Sequence, residues 1–239
     1  ATTVETWIAW NANGVATTQI FQLDKSFGAD GMVVKNDITK ITDLKGKTVA
    51  ASAPGTAPYF TLAWMLKKNG MSTKDVKIVN LEPQAAANAM IAGNAGLDAA
   101  LTYEPYLSAV RAKPEAGKII ATTLDYPMIM DTFGCVPKFL ADNPKAAKAI
   151  ADSYFEAVEM ISKEPKRSFE IMGADVKQSG EAFEASQKYL RWQDRAANLK
   201  FFSGEHAQFS KEAADLLLEA GIIKQLPDMS KLADTRFIR

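Results

Sequence analysis

The sequence predicts an α/β fold, and three observations carry the prediction. Short apolar, β-rich runs alternate with helical patterns in the order expected of successive βα units with a largely parallel sheet. Gly and Pro punctuate the helical patterns at the ends where each residue is tolerated. A helix-rich C-terminal third follows the central α/β block with no low-complexity or Gly/Ser stretch between them, so extended segments and not flexible tethers must join the parts.

Taken in order, the candidate strands are Gly31 to Val34, Thr48 to Ala51, Lys77 to Leu81, Leu97 to Thr102, Lys118 to Thr122 and Gly134 to Val136. A helix is expected from near Pro58, whose missing N–H costs nothing in a first turn, to Gly70, a residue suited to the position just past a helix end. Leu62, Met65 and Leu66 give its buried stripe. A second crossover helix runs from about Gln84 to Ile91 and stops at Gly93. Asn143-Pro144 reads as an N-cap followed by a first-turn proline, and Ala147, Ile150, Tyr154, Val158 and Ile161 then recur at helical spacing. The last long helix begins at Ser203, turns Phe209, Ala213, Leu217 and Ala220 inward, and ends at Gly221. Candidate crossings between lobes are the segments around Asp24 to Val34 and Asp131 to Val136.

Composition narrows the function. The chain has 239 residues, enough for one large or two small domains, with 28 Lys+Arg against 28 Asp+Glu and no net charge. No bulk positive field is present to hold a phosphate backbone, so nucleic acid is a poor partner. One cysteine, Cys135, excludes an internal disulfide framework, and one histidine, His206, excludes a multi-histidine metal site. No apolar stretch approaches the roughly 18 to 20 residues that span a bilayer. The first residues lack a basic n-region, an apolar h-region and an initiating Met, which reads as a processed, trimmed or fragmentary start.

Catalytic motifs are absent: there is no G-x-S-x-G, Walker A loop, H-E-x-x-H or G-x-G-x-x-G. His206 reads as a structural or exposed residue and Cys135 as a small core hydrophobe. The segment Ala51-Ser52-Ala53-Pro54-Gly55-Thr56-Ala57-Pro58-Tyr59 joins a strand to a helix N-terminus. Its free N–H groups, with the Ser52 and Thr56 hydroxyls, can cradle an oxyanion; the plain alternative is an ordinary βα turn. After another strand comes Thr102-Tyr103-Glu104-Pro105-Tyr106, where an aromatic and a carboxylate can stack on and pair with a small ligand, or where Glu104 merely caps a helix. The chain's start, Thr3-Val4-Glu5-Thr6-Trp7, echoes this segment. Asp131 is a third acidic candidate, with a surface turn as its alternative role.

With those residues in hand the sequence resembles the substrate-binding proteins of ABC importers, in the branch of taurine, aliphatic sulfonate, nitrate and thiamine-precursor binders. The resemblance rests on Asp24-x-Ser26-x-Gly28-Ala29-Asp30-Gly31, Asp43-Leu44-Lys45-Gly46-Lys47-Thr48-Val49-Ala50, Asp75-Val76-Lys77-Ile78-Val79-Asn80-Leu81 and Gly96-Leu97-Asp98-Ala99-Ala100-Leu101-Thr102-Tyr103-Glu104-Pro105. It implies a type II periplasmic binding protein fold of two βα lobes joined by extended hinge segments, with residues 1–34 and 137–239 in lobe one and 35–136 in lobe two. It also implies that lobe one is N-terminally incomplete, short by two βα units of about 30 residues each.

The resemblance further implies a periplasmic, or extracellular and lipid-anchored, receptor without catalytic activity, cofactor or metal. It would act as a monomer, close on a small solute by hinge motion and hand it to a permease in the inner membrane. The ligand-binding residues carried over are Asp24, Ser52, Thr56, Tyr59, Tyr103, Glu104 and Asp131. An acidic Glu104 departs from the taurine pattern and favours a solute with an amine or amidine end group. The alternatives are a thiamine-pyrimidine synthase-like enzyme, which one His and one Cys do not equip, and an extracellular ligand-sensing domain.

Overall fold

A computed structural model describes residues 1–239. The chain runs β1 (Thr2–Thr3), α1 (Val4–Ala12), β2 (Thr18–Ser26), β3 (Asp30–Val34), β4 (Thr48–Ala51), α2 (Ala57–Lys68), β5 (Lys77–Asn80), α3 (Pro83–Ile91), β6 (Ala99–Tyr103), α4 (Tyr106–Arg111) and β7 (Lys118–Thr122). It continues with β8 (Met130–Cys135), α5 (Pro137–Asp142), α6 (Pro144–Lys163), α7 (Pro165–Asp175), α8 (Gly180–Gln187), β9 (Leu190–Trp192), α9 (Arg195–Lys200) and α10 (His206–Glu219). A single π-helical turn, Phe201–Glu205, separates α9 from α10.

The chain divides into two compact units. Unit 1 comprises residues 1–25, 130–214 and 225–239; unit 2 comprises 26–129 and 215–224. These limits differ from the expected division at 34/35 and 136/137. Strand β3 belongs to unit 2 because it hydrogen-bonds β6 and β7 there, and β8 belongs to unit 1 because it pairs with β1 and β2. Sequence spacing locates a strand but not the sheet that completes its hydrogen bonds.

Unit 2 holds a five-stranded sheet in the order β5-β4-β6-β3-β7. Strand β4 runs parallel to β5 and β6, whereas β3 runs antiparallel to β6 and β7. The sheet is therefore mixed, not largely parallel. The parallel part comes from the β4-α2-β5-α3-β6 crossovers, and β3, which is not part of such a crossover, inserts with the opposite sense. Helix α2 ends where expected: Gly70 adopts φ +71°, a left-handed conformation with little cost only for glycine. Val33, Ala50, Ala86, Met90 and Leu107 close the core between sheet and helices.

Two of the sequence fingerprints prove to be structural punctuation. Asp43 accepts the Thr39 and Lys40 N–H groups, each at 3.1 Å, and Gly46 at φ +76° completes the turn into β4. Asp98 accepts the Thr48 N–H at 2.9 Å and so ties the start of β4 to β6. Both blocks fix loop geometry.

Unit 1 is built on a four-stranded sheet in the order β1-β8-β2-β9, with β8 antiparallel to both neighbours. Gly134 is required in β8, since a Cβ there would sit 2.6 Å from the Thr18 carbonyl oxygen. Phe21 stacks between Phe133 and Tyr154 at centroid distances of 5.1 and 4.9 Å. Helix α6 lays Ala147, Ala151, Phe155 and Val158 onto this layer; each large side chain so buried contributes about 1.5–3 kcal/mol. Asn143 precedes α6 as expected but makes no side-chain cap bond. The elements β1, α1, β2, α4, α5, α7, α8, β9 and α9 are additions to the expected ones; α8 and β9 in particular are short, mixed-polarity segments that carry no clean period. No helix is long and apolar enough to cross a membrane.

Candidate functional site

In unit 2 the candidate residues follow the carboxyl ends of two neighbouring strands. Because β4 and β6 are parallel neighbours, their carboxyl ends open together, the edge at which open α/β sheets bind ligands. Ser52 follows β4, and the chain turns through Gly55 at φ +90° to reach Thr56, the N-cap of α2. The twelve-residue helix has Pro58 in its first turn and no acidic residue there, so its positive dipole end is not neutralised from within.

Ser52 is 2% exposed and its Oγ has no hydrogen-bond partner. Such an orphan is uncommon in a buried position. Thr56 instead donates its hydroxyl to the Ala53 carbonyl at 2.7 Å, which leaves its lone pairs but not its proton for another group. Tyr59 lies partly buried in the same turn of α2.

At the end of β6, Tyr103 is 38% exposed with its ring 5.8 Å from that of Tyr106. Burial pushes its phenol up, and the neighbouring Tyr106, Asp30 and Glu82 add to the shift. Glu104 is differently engaged. One carboxylate oxygen accepts the Ser108 N–H at 3.0 Å and the other accepts from the Arg111 guanidinium at 3.0 Å. It performs the helix-cap role that the sequence offered as the alternative to ligand pairing.

In unit 1 the acidic candidates are strand partners. Asp24 on β2 faces Asp131 on β8, and Asp131 also faces Thr3 on β1. Burial pushes the Asp131 carboxyl up to about 6, so it is the most readily protonated acid of the set. Sequence reasoning passes over Glu5, which is 1% exposed in α1 and accepts a hydrogen bond from Thr3 Oγ1. Thr3 also lies 2.9 Å from the Thr6 hydroxyl. The signal that could have found Glu5 is the echo between Thr3-Val4-Glu5-Thr6-Trp7 and the Glu104 segment, which places a carboxylate in each unit just after a strand.

His206 and Cys135 stand apart from these groups. His206 is buried against the rings of Phe201 and Phe202, with centroids 5.4 and 5.0 Å away, and burial lowers its pKa to about 4. Cys135 packs at the margin of the unit 1 core and burial raises its thiol pKa.

A model of the NMT1-like family matches residues 4–172, more than half of the chain's 239 residues. The chain belongs to the NMT1-like family. This NMT1-like chain is 30% identical over 152 residues to the taurine-binding periplasmic protein of Escherichia coli (strain K12). The match takes in 62% of the chain and spans 46% of that relative, so the chain covers about half the length of the curated relative.

The fold matches the alkanesulfonate-binding protein SsuA from Xanthomonas axonopodis pv. citri bound to MOPS, with a TM-score of 0.76 over 94% of the chain and 76% of that structure, at 16% identity. It also matches the desulfurization enzyme DSZB, with a TM-score of 0.66 over 98% of the chain and 82% of that structure, at 13% identity. The chain therefore has the periplasmic binding protein fold, in agreement with the branch its motifs resemble. Since an enzyme shares that fold, function has to be argued from the site.

Proposed function

We propose that this NMT1-like protein is the solute-binding component of an ABC importer and that its solute carries a sulfonate or carboxylate group. The observation that carries the reading is Ser52: a buried hydroxyl without a partner, in the turn that leads from the carboxyl end of β4, half of a parallel strand pair, to the N-terminus of α2. Such an edge holds an oxyanion by neutral donors and needs no arginine. The taurine-binding relative supports a sulfonate.

Also in unit 2, Tyr103 offers a half-exposed ring for the carbon skeleton of the solute. Glu104 is held by Ser108 and Arg111, so its part is to set the α4 turn and with it the position of Tyr103. The protein works without chemical turnover, in the periplasm, and delivers the solute to a membrane permease.

Calorimetric titration with taurine and with short aliphatic sulfonates and carboxylates tests the reading. Saturable binding is expected, with Ser52→Ala weakening it about 5–10-fold, the value of one hydrogen bond. Unchanged affinity in Ser52→Ala, or no binding by any member of the series, would overturn it.

A further inference from the structure

In unit 2 the carboxyl end of β6 carries a group of side chains whose chemistry differs from that of the Ser52 turn on the neighbouring strand β4. Tyr103 and Tyr106 hold their rings 5.8 Å apart and inclined at 44°. Tyr103 is exposed and Tyr106 half-buried, so a solute can reach the pair. A cation is attracted to the face of an aromatic ring within about 6 Å of its centre, and at this spacing one cation can lie within that reach of both rings.

Two carboxylates flank the pair. Asp30 on β3 is the direct cross-strand partner of Tyr103, and directly opposed residues of an antiparallel pair lie on one face of the sheet. Glu82 is the residue before α3, and the Thr102 hydroxyl donates to the Pro83 carbonyl at 2.9 Å, which ties that helix start to the end of β6. Glu82 is exposed and its side chain makes no cap bond. Asp30 and Glu82 both push the Tyr103 phenol up and no cation offsets them, so the field at this ring has one sign. Arg111, at the end of α4, is held by Glu104 and Ser108.

We propose that Tyr103, Tyr106, Asp30 and Glu82 form a subsite for a methylated ammonium group at the end of the solute opposite its sulfonate or carboxylate. The inference rests on the reading given above for the anionic end of the solute, but uses none of the groups assigned to that end. Ring faces offer no hydrogen-bond acceptors, so a primary ammonium would leave N–H donors unanswered, whereas a methylated one presents diffuse charge and apolar surface. The two carboxylates add attraction of the matching sign. The cationic preference that the sequence attaches to Glu104 thereby passes to Asp30 and Glu82. Neighbouring strands lie about 5 Å apart, so a short carbon chain joins the two ends of the solute.

Calorimetric titration with three probes tests the subsite: N,N,N-trimethyltaurine; neohexylsulfonate, the same shape with carbon in place of the charged nitrogen; and choline, which keeps the cation without the sulfonate. Trimethyltaurine should bind wild type about 10-fold more tightly than neohexylsulfonate. Tyr103→Leu should cut this preference to about twofold or less, and Glu82→Gln, at an exposed position, should cut it about twofold. Choline bound as tightly as trimethyltaurine, with the same loss in Tyr103→Leu, would support the subsite and remove the sulfonate from the solute. Equal binding of the two sulfonates by wild type would remove the subsite and leave the sulfonate. The proposal is also overturned if neither trimethyltaurine nor choline binds saturably, or if a folded Tyr103→Leu keeps the full preference. The wild-type comparison decides the matter even if that variant fails to fold.

Discussion

Glu104 and Arg111 meet through a 3.0 Å hydrogen bond that joins a residue two positions before α4 to that helix's last position. The Glu104 side chain is 7% exposed and the Arg111 side chain 39% exposed, so the carboxylate is the partner that depends on the contact. This pair, together with the Ser108 N–H, gives a carboxylate that the sequence suggests for a ligand a structural task at the start of α4.

Loss of that pair should therefore read first as stability. Glu104→Gln is expected to cost about 1–2 kcal/mol in urea unfolding, and Arg111→Ala, whose side chain is screened by solvent, about 0.5–1 kcal/mol. A Glu104→Gln protein of unaltered stability but abolished solute binding would return Glu104 to direct ligand contact.

Asp131 gives a pH dependence of one sign. Its pKa is raised from 3.8 to about 6, so between these values the folded state binds a proton that the unfolded state does not. Its ionised form costs stability above about pH 6, and the cost is relieved as pH falls toward 3.8. Asp131→Asn should stabilise the protein by roughly 1–2 kcal/mol at pH 7.5, after allowance for partial solvent screening, and by little at pH 4. Thermal unfolding across this range checks it; equal effects at both ends would show that Asp131 is not strained.

His206 contributes the opposite sign. Its pKa is lowered from 6.5 to about 4, so between these values the unfolded state takes up a proton that the folded state refuses. Its contribution is complete above pH 6.5 and is lost as pH falls toward 4. The histidine ring resonances should remain those of the neutral form down to about pH 4.5. His206→Phe, which fits among Phe201 and Phe202, should flatten the acid loss of stability seen in wild type.

Asn198 should be the costliest single polar residue to remove from unit 1. It is fully buried, its Oδ1 accepts the Gln22 N–H at 2.6 Å, and its Nδ2 donates to the Gln22, Gln193 and Asp194 carbonyls at 3.0, 3.1 and 3.0 Å. Asn198→Ala removes all four of these side-chain bonds and should cost about 3 kcal/mol, against about 1 kcal/mol or less for a typical exposed asparagine. Parallel urea unfolding of Asn198→Ala and Asn36→Ala measures the contrast.

Much of the fold is readable in the sequence because it is local. Helices α2 and α3 are bounded by Pro and Gly whose effects act on their own backbone, and β4 and β7 coincide with their apolar runs at Thr48–Ala51 and Lys118–Thr122. The turn of Ser52 to Thr56 is legible for the same reason, since a strand end, a glycine and a first-turn proline are all sequence neighbours. Elements such as α8 and β9 escape because they lack that punctuation and a clean hydrophobic period.

By itself, then, the sequence determined the α/β class, the two-lobed family likeness, the absence of catalytic motifs and the oxyanion-suited turn before α2. Tertiary structure decided which sheet each crossing strand joins, the reversed sense of β3, the occupation of Glu104, the burial of Glu5 and His206, and the partial burial of Asp131. The reason is range. Backbone propensity acts within a few residues, whereas strand partners and burial are set by groups far along the chain, as Gln22 and Asn198 are, 176 positions apart.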